Sequence, residues 1–168
     1  SPLVTELEGK SQLLCVNGRT VYSFNFDGDT LWTYTLPIAG PIVIPVIYEN
    51  DKIFFSSIHS GDVTLQLKDG KPTELRKGFT MKNDYTTSIW HDGYIYGFHI
   101  AAFRCIDANT GEVKWSKRGF GKGSFIMLDD KFIIISDKGK VSIAKANPAM
   151  FEEITSFQAL DATRSWTG

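Results

Sequence analysis

The stretch Tyr85-Thr-Thr-Ser-Ile-Trp90-His-Asp-Gly93-Tyr94-Ile-Tyr-Gly-Phe-His99-Ile-Ala-Ala102-Phe-Arg-Cys-Ile-Asp107-Ala-Asn-Thr-Gly111-Glu-Val-Lys-Trp115-Ser-Lys117 decides the fold. It opens with Thr86–Trp90 and turns at His91-Asp92-Gly93. The runs Tyr94–His99 and Ala102–Asp107 follow, then the turn Ala108–Gly111 and the closing run Glu112–Trp115. Aromatic and β-branched runs of four to six residues between Gly, Asn and Asp read as strands joined by tight turns. Four such strands in series predict one meander blade of a β-propeller.

Working outward, the same order recurs on both sides. The second strand returns as Gln12–Val16, Lys52–Ser56, Tyr94–Gly97 and Lys131–Ile135. The third turn returns as Asp27-Gly28, Asp69-Gly70, Asn109-Thr-Gly111 and Asn147-Pro148. Gly28, Gly70 and Gly111 are 42 and 41 residues apart, a spacing that matches propeller repeats. The register predicts an incomplete blade at 1–36 and full blades at 41–78, 85–118 and 123–158. Residues 163–168 then read as the first strand of a further blade. The expectation is an all-β chain, 1–168, forming a single partial propeller domain of about four blades. Pro148–Ile154 is the nearest approach to a helix, one short turn at most.

Composition agrees. Of 168 residues, 42% are hydrophobic, enough for a substantial core. Eighteen basic against 19 acidic residues leave a net charge of -1, which argues against a nucleic-acid partner. No apolar run approaches the length of a transmembrane segment. Cys15 and Cys105 sit in apolar strand runs and are expected as buried thiols rather than a disulfide. The chain begins abruptly at Ser1-Pro2 without a signal-peptide pattern, and the native N-terminus is expected upstream.

The tryptophans carry the sharpest signal. Trp115 lies four residues after Gly111 and eight after Asp107, and Trp32 lies four after Gly28. A large ring just past a tight turn can lie over the bare backbone of a glycine in the adjacent blade, and its N–H can find a carbonyl. Trp32, Gly28, Asp107, Gly111 and Trp115 are therefore the expected blade-docking residues. By the same count the equivalent places are Glu74-Leu75 in the second blade and Glu152-Glu153-Ile154 in the fourth.

The run Cys105-Ile-Asp107-Ala-Asn-Thr-Gly111-Glu-Val-Lys-Trp115 resembles the tryptophan-docking repeat of the quinoprotein-type propellers. With its flanks it is similar to the PQQ-like repeat proteins of bacteria, most strongly over 85–166. The resemblance implies an eight-bladed parent ring and a periplasmic or otherwise exported location. The family includes the propeller lipoprotein of the outer-membrane assembly machinery and the PQQ-dependent alcohol dehydrogenases. The dehydrogenases hold the quinone with a calcium ion, often beside a pair of adjacent cysteines, a pair this chain lacks. The expectation is a non-catalytic scaffold with no cofactor in this segment. Part of an alcohol or sugar dehydrogenase, with PQQ and calcium, is the alternative.

The remaining motifs are read modestly. His59, His91 and His99 have no metal-ligand spacing. Gly119-Phe-Gly-Lys-Gly-Ser124 matches no phosphate-binding fingerprint and reads as an inter-blade connection. Lys114, Lys117, Arg118 and Lys122 read as a solvated rim. Asp107 is placed to cap its own turn. By family likeness the first strand of each blade lines the central channel. Asp84, Tyr85, Thr86, Ser88, Ser124, Arg164 and Trp166 are thus the candidates for meeting a protein or small ligand at a propeller face. A partial ring exposes its end blades, so the remaining blades of the parent or a second copy are further expected partners.

Overall fold

The computed structural model describes residues 2–161; Arg164, Trp166 and the strand expected at 163–168 lie outside them. Every regular element among the described residues is a strand. The first sheet comprises β1 (Leu3–Leu7), β2 (Lys10–Asn17), β3 (Thr20–Phe24) and β4 (Thr30–Thr35). The second comprises β5 (Val46–Tyr48), β6 (Lys52–Ser57), β7 (Gly61–Lys68) and β8 (Lys71–Gly78). The third comprises β9 (Ile89–His91), β10 (Tyr94–His99), β11 (Ala102–Asp107) and β12 (Val113–Arg118). The fourth comprises β13 (Ser124–Leu128), β14 (Lys131–Ile135), β15 (Lys140–Lys145) and β16 (Glu152–Gln158). Each is an antiparallel meander in chain order.

Three expectations change. The stretch 1–36 holds a whole blade, because Leu3–Leu7 pairs with β2 through the turn at Glu8-Gly9. Pro148–Ile154 contains no helical turn: 148–150 are a bend, and Glu152–Ile154 already belong to β16. The chain also divides into two compact units, residues 1–82 and 83–168, each holding two sheets.

The turns explain the register. Asp69 and Gly70 both have positive φ (52° and 69°), the conformation a two-residue hairpin turn requires. Asp27-Gly28, expected to make the same turn, instead sits in a longer one running from Asn25 to Asp29. Asn25 Oδ1 accepts the backbone N–H groups of Asp27 and Asp29 and closes it.

Each unit has one core, made by one sheet lying on the next. In residues 1–82, Leu7, Leu14, Val21 and Trp32 of the first sheet bury against Ile53, Phe55, Val63, Leu65 and Leu67 of the second. In residues 83–168, Tyr96, Phe98, Phe103 and Cys105 bury against Phe125, Phe132, Ile134 and Ala144. The middle strands are accordingly buried, whereas β8, β12 and β16 are largely exposed. Lys114, Lys117 and Arg118 on β12 are the kind of charge that discourages edge-to-edge pairing.

A common irregularity runs through all four sheets. The ladder between third and fourth strands shifts after Ser23, Thr64, Cys105 and Ile143. One extra residue on the fourth strand makes each bulge: Leu31, Leu75, Lys114 and Ile154. The residues just after them are Trp32, Arg76, Trp115 and Thr155, so these hold the equivalent positions. Counting from the turn glycine misplaced the second and fourth. The tight Asp69-Gly70 turn adds ladder rungs before the bulge, moving the position from Glu74-Leu75 to Arg76. In the fourth sheet it moves from Glu152-Glu153-Ile154 to Thr155.

Arg76 is held by Asp62, whose side chain is fully buried. The same carboxylate accepts the N–H groups of Thr80 and Met81 and the Thr80 hydroxyl, pinning the segment that leaves the second sheet. Asp62→Ala leaves the guanidinium and those N–H groups without their acceptor. It should lower stability by about 3–5 kcal/mol in a urea unfolding curve.

Candidate functional site

Trp115 lies on β12 with its ring between the two sheets of residues 83–168. Its indole N–H donates to the carbonyl of Asn147, in the third turn of the fourth sheet, at 2.8 Å. Phe151 meets the ring edge to face at 5.6 Å, and Tyr96 and Phe103 pack from its own sheet. Trp32 is buried, but its N–H stays at home and donates to Gln12 Oε1 at 3.0 Å. That oxygen also accepts from Ser23 Oγ, and Gln12 Nε2 donates to the Leu7 carbonyl. Trp32 and Gln12 form one wall of a cleft of about 380 Å³ that reaches Asp69 and Gly70 of the second sheet. Glu8, lining the same cleft, accepts the N–H groups of Asp69 and Gly70 on its two carboxylate oxygens.

Asp107 caps its own turn. Its Oδ1 accepts the N–H groups of Asn109 and Thr110 and the Thr110 hydroxyl. Burial acts to raise this carboxyl, but the Thr110 and Asn109 donors and the Lys114 charge outweigh it and hold its pKa below the usual value. Gly28 and Gly111 supply positive φ in these turns (94° and 76°). Cys105 lies in the core, where burial pushes its thiol up to about 12. Cys15, expected buried, is partly exposed, and both cysteines are free.

The channel-lining candidates divide. Asp84, Tyr85 and Thr86 come together with the connection that enters the fourth sheet. Lys122 forms an ion pair with Asp84 and lies 5.2 Å from the Tyr85 ring centroid. Thr86 Oγ1 donates to the Gly123 carbonyl at 3.1 Å. Tyr85 itself is 59% exposed. Ser88 is buried just before β9 and donates to Asn83 Oδ1, while Asn83 Nδ2 donates to the Phe98 carbonyl. Gly97 is required there, since a Cβ at that position would stand 2.2 Å from Ser88 Oγ. Ser124 opens β13 and is half-buried. Lys122, read from sequence as part of a solvated rim, is the residue that organises this site. Gln12, Asn83 and Asp62 were not singled out at all, because a polar residue inside an apolar run gives no sequence sign of what it bonds.

Among the described residues no three His, Cys, Asp or Glu side chains converge as metal ligands, and Asp84 is already engaged by Lys122. No helix among them is long and apolar enough to cross a membrane.

Solved structures share this architecture. Sqt1 of Saccharomyces cerevisiae superposes with a TM-score of 0.75 at 13% identity, over 92% of this chain and 46% of that one. The four sheets are β-propeller blades. BamB from Moraxella catarrhalis superposes with a TM-score of 0.60, also at 13% identity, over 89% of this chain and 50% of that one. The chain thus spans about half the length of either propeller. No protein-family model and no curated protein sequence matches it.

Two outcomes test the docking residues. Trp115→Ala should cost about 3 kcal/mol in a thermal or urea melt, as for a large, mostly buried ring. Asp107→Ala should cost about 1 kcal/mol, whereas Asp107→Asn should cost much less, since Asn25 does the equivalent work in the first sheet. A carboxyl whose folded pKa is depressed adds stability that is complete above its unfolded value and is lost as pH falls through the folded one. The wild type should therefore lose stability below about pH 4, and Asp107→Asn should lose less over that window.

Proposed function

We propose that the chain is a non-catalytic propeller module that binds a protein or a small ligand through the Asp84-Tyr85-Thr86 rim. The observation that carries this reading is Tyr85: a large aromatic left open to solvent, with a lysine at its face, on a connection fixed at both ends. An aromatic held this way offers contact area at little entropic cost, which is what recognition surfaces favour. Loops held on a rigid propeller frame are suited to recognition.

We further propose that these are PQQ-like repeats of an exported bacterial protein. The Asp107–Trp115 motif and the likeness to BamB support that assignment. On this reading the segment acts without quinone or calcium. Only the dehydrogenase alternative needs them, and no residue set described above favours it.

A displayed peptide library selected on the purified protein tests the reading. Tyr85→Ala and Lys122→Ala should each weaken the selected binders by roughly tenfold or more without shifting the melting curve. Binders indifferent to both variants would move the site away from this rim. Saturable binding of PQQ with calcium, followed by fluorescence, would restore the dehydrogenase.

A further inference from the structure

A cleft of about 330 Å³ opens between the third and fourth sheets, both in the unit of residues 83–168. Lys117 and Arg118 line it at the end of β12, Phe120 in the connection that follows, Lys140 at the start of β15, and Phe151 and Glu153 where β16 begins. The floor is aromatic. Phe120 is buried, Phe151 meets it at 5.7 Å, and Trp115 holds Phe151 in turn at 5.6 Å. These rings are fixed by the core, so little ordering is needed when a ligand lands on them.

Charge sets this cleft apart. The chain as a whole is balanced, with 18 basic and 19 acidic residues, and the cleft beside Trp32 has Lys10 against Glu8 and Asp69. Here three cations face one carboxylate. Lys117, Arg118 and Lys140 make no salt bridge among the described residues. Glu153 is already engaged by the Ser156 hydroxyl at 2.9 Å. Burial acts to raise its carboxyl, but that bond and the charges of Lys140 and Lys117 hold its pKa below the usual value. Lys117 Nζ also lies 5.7 Å from the Phe151 ring centroid, so cation and aromatic floor adjoin.

The strand beside the cleft adds a third element. Within its sheet β12 pairs with β11 alone, which leaves the N–H and C=O groups of its other edge open to an added strand. Its positive charges repel a like edge and attract an acidic one.

We propose that this cleft takes an acidic peptide segment of a partner protein. The segment lies extended along the outer edge of β12, with one apolar side chain on Phe120 and Phe151 and its carboxylates toward Lys117, Arg118 and Lys140. The site shares no residue with the Tyr85 rim and does not rest on that reading.

Fluorescence anisotropy with a labelled Glu-Glu-Leu-Glu-Glu peptide tests this on the purified chain. Binding should be saturable at low salt, and its Kd should rise roughly tenfold or more at high salt. Replacing the central leucine of the peptide by glycine should weaken binding roughly tenfold. Lys117→Ala combined with Lys140→Ala should do the same, whereas Tyr85→Ala should change nothing. Both lysines are exposed, so the double variant should keep the wild-type melting curve; should it not, the salt and leucine dependence of the wild type decide. Bound peptide should also slow amide hydrogen exchange along β12. Absence of saturable binding, equal binding of Lys-Lys-Leu-Lys-Lys, indifference to the paired lysine variant, or unchanged exchange on β12 would each overturn the proposal. Complete displacement by inorganic phosphate, with the leucine irrelevant, would overturn it too and leave a plain anion site.

Discussion

A four-stranded sheet has two faces, and with apolar residues on both it can satisfy neither alone. Everything in this chain follows from stacking one such sheet on another. Leu7, Leu14 and Val21 have no partner within their own sheet that could take them out of water. They find one in Ile53, Phe55 and Leu65. The bulge between third and fourth strands fixes how the stacking is finished. It turns one residue of an otherwise exposed strand toward the neighbour, and in two sheets that residue is a tryptophan. The two use the ring differently. Trp115 gives its N–H across to Asn147, while Trp32 keeps a bond to Gln12 and offers only its surface. Area burial is common to both; the cross-sheet hydrogen bond is an addition.

Connections between sheets are held by buried or shielded polar groups as well as by apolar residues such as Leu36, Ile38 and Phe120. Asp62 ties down the segment leaving the second sheet, and Asn83 with Ser88 ties down the one entering the third. These bonds are what make the rim around Asp84, Tyr85 and Lys122 a shaped surface. A carboxylate paired with a lysine and a phenol ring beneath that lysine fix each other's geometry. Tyr85 can then stay exposed without being free to collapse.

Much of the fold was legible because hydrophobic runs and turn residues repeat together. Tyr94–His99 and Ala102–Asp107 are strands to the residue. The third and fourth sheets fall within 85–118 and 123–158. The first strand, Leu3–Leu7, escaped because Thr5 and Glu6 dilute its pattern and the Glu8-Gly9 turn lacks a strong signature. The docking positions escaped for another reason. A bulge inserts one residue without any compositional mark, so distance from a turn glycine is a poor ruler. The candidate site was half legible. Asp84, Tyr85 and Thr86 were named for their place before an inner strand, yet the Lys122 that draws them together lies 38 residues from Asp84. Pairing over that distance is a property of the folded chain.

The four bulges have one consequence for how such a chain can change over time. Because the backbone, not the side chain, chooses which residue faces the next sheet, the occupant of that place can be exchanged without losing the register. Trp32, Arg76, Trp115 and Thr155 are four solutions to the same geometric instruction. A fold specified this way can keep its shape while its letters differ, which is the condition under which superposition finds the same fold at 13% identity and sequence comparison finds no match.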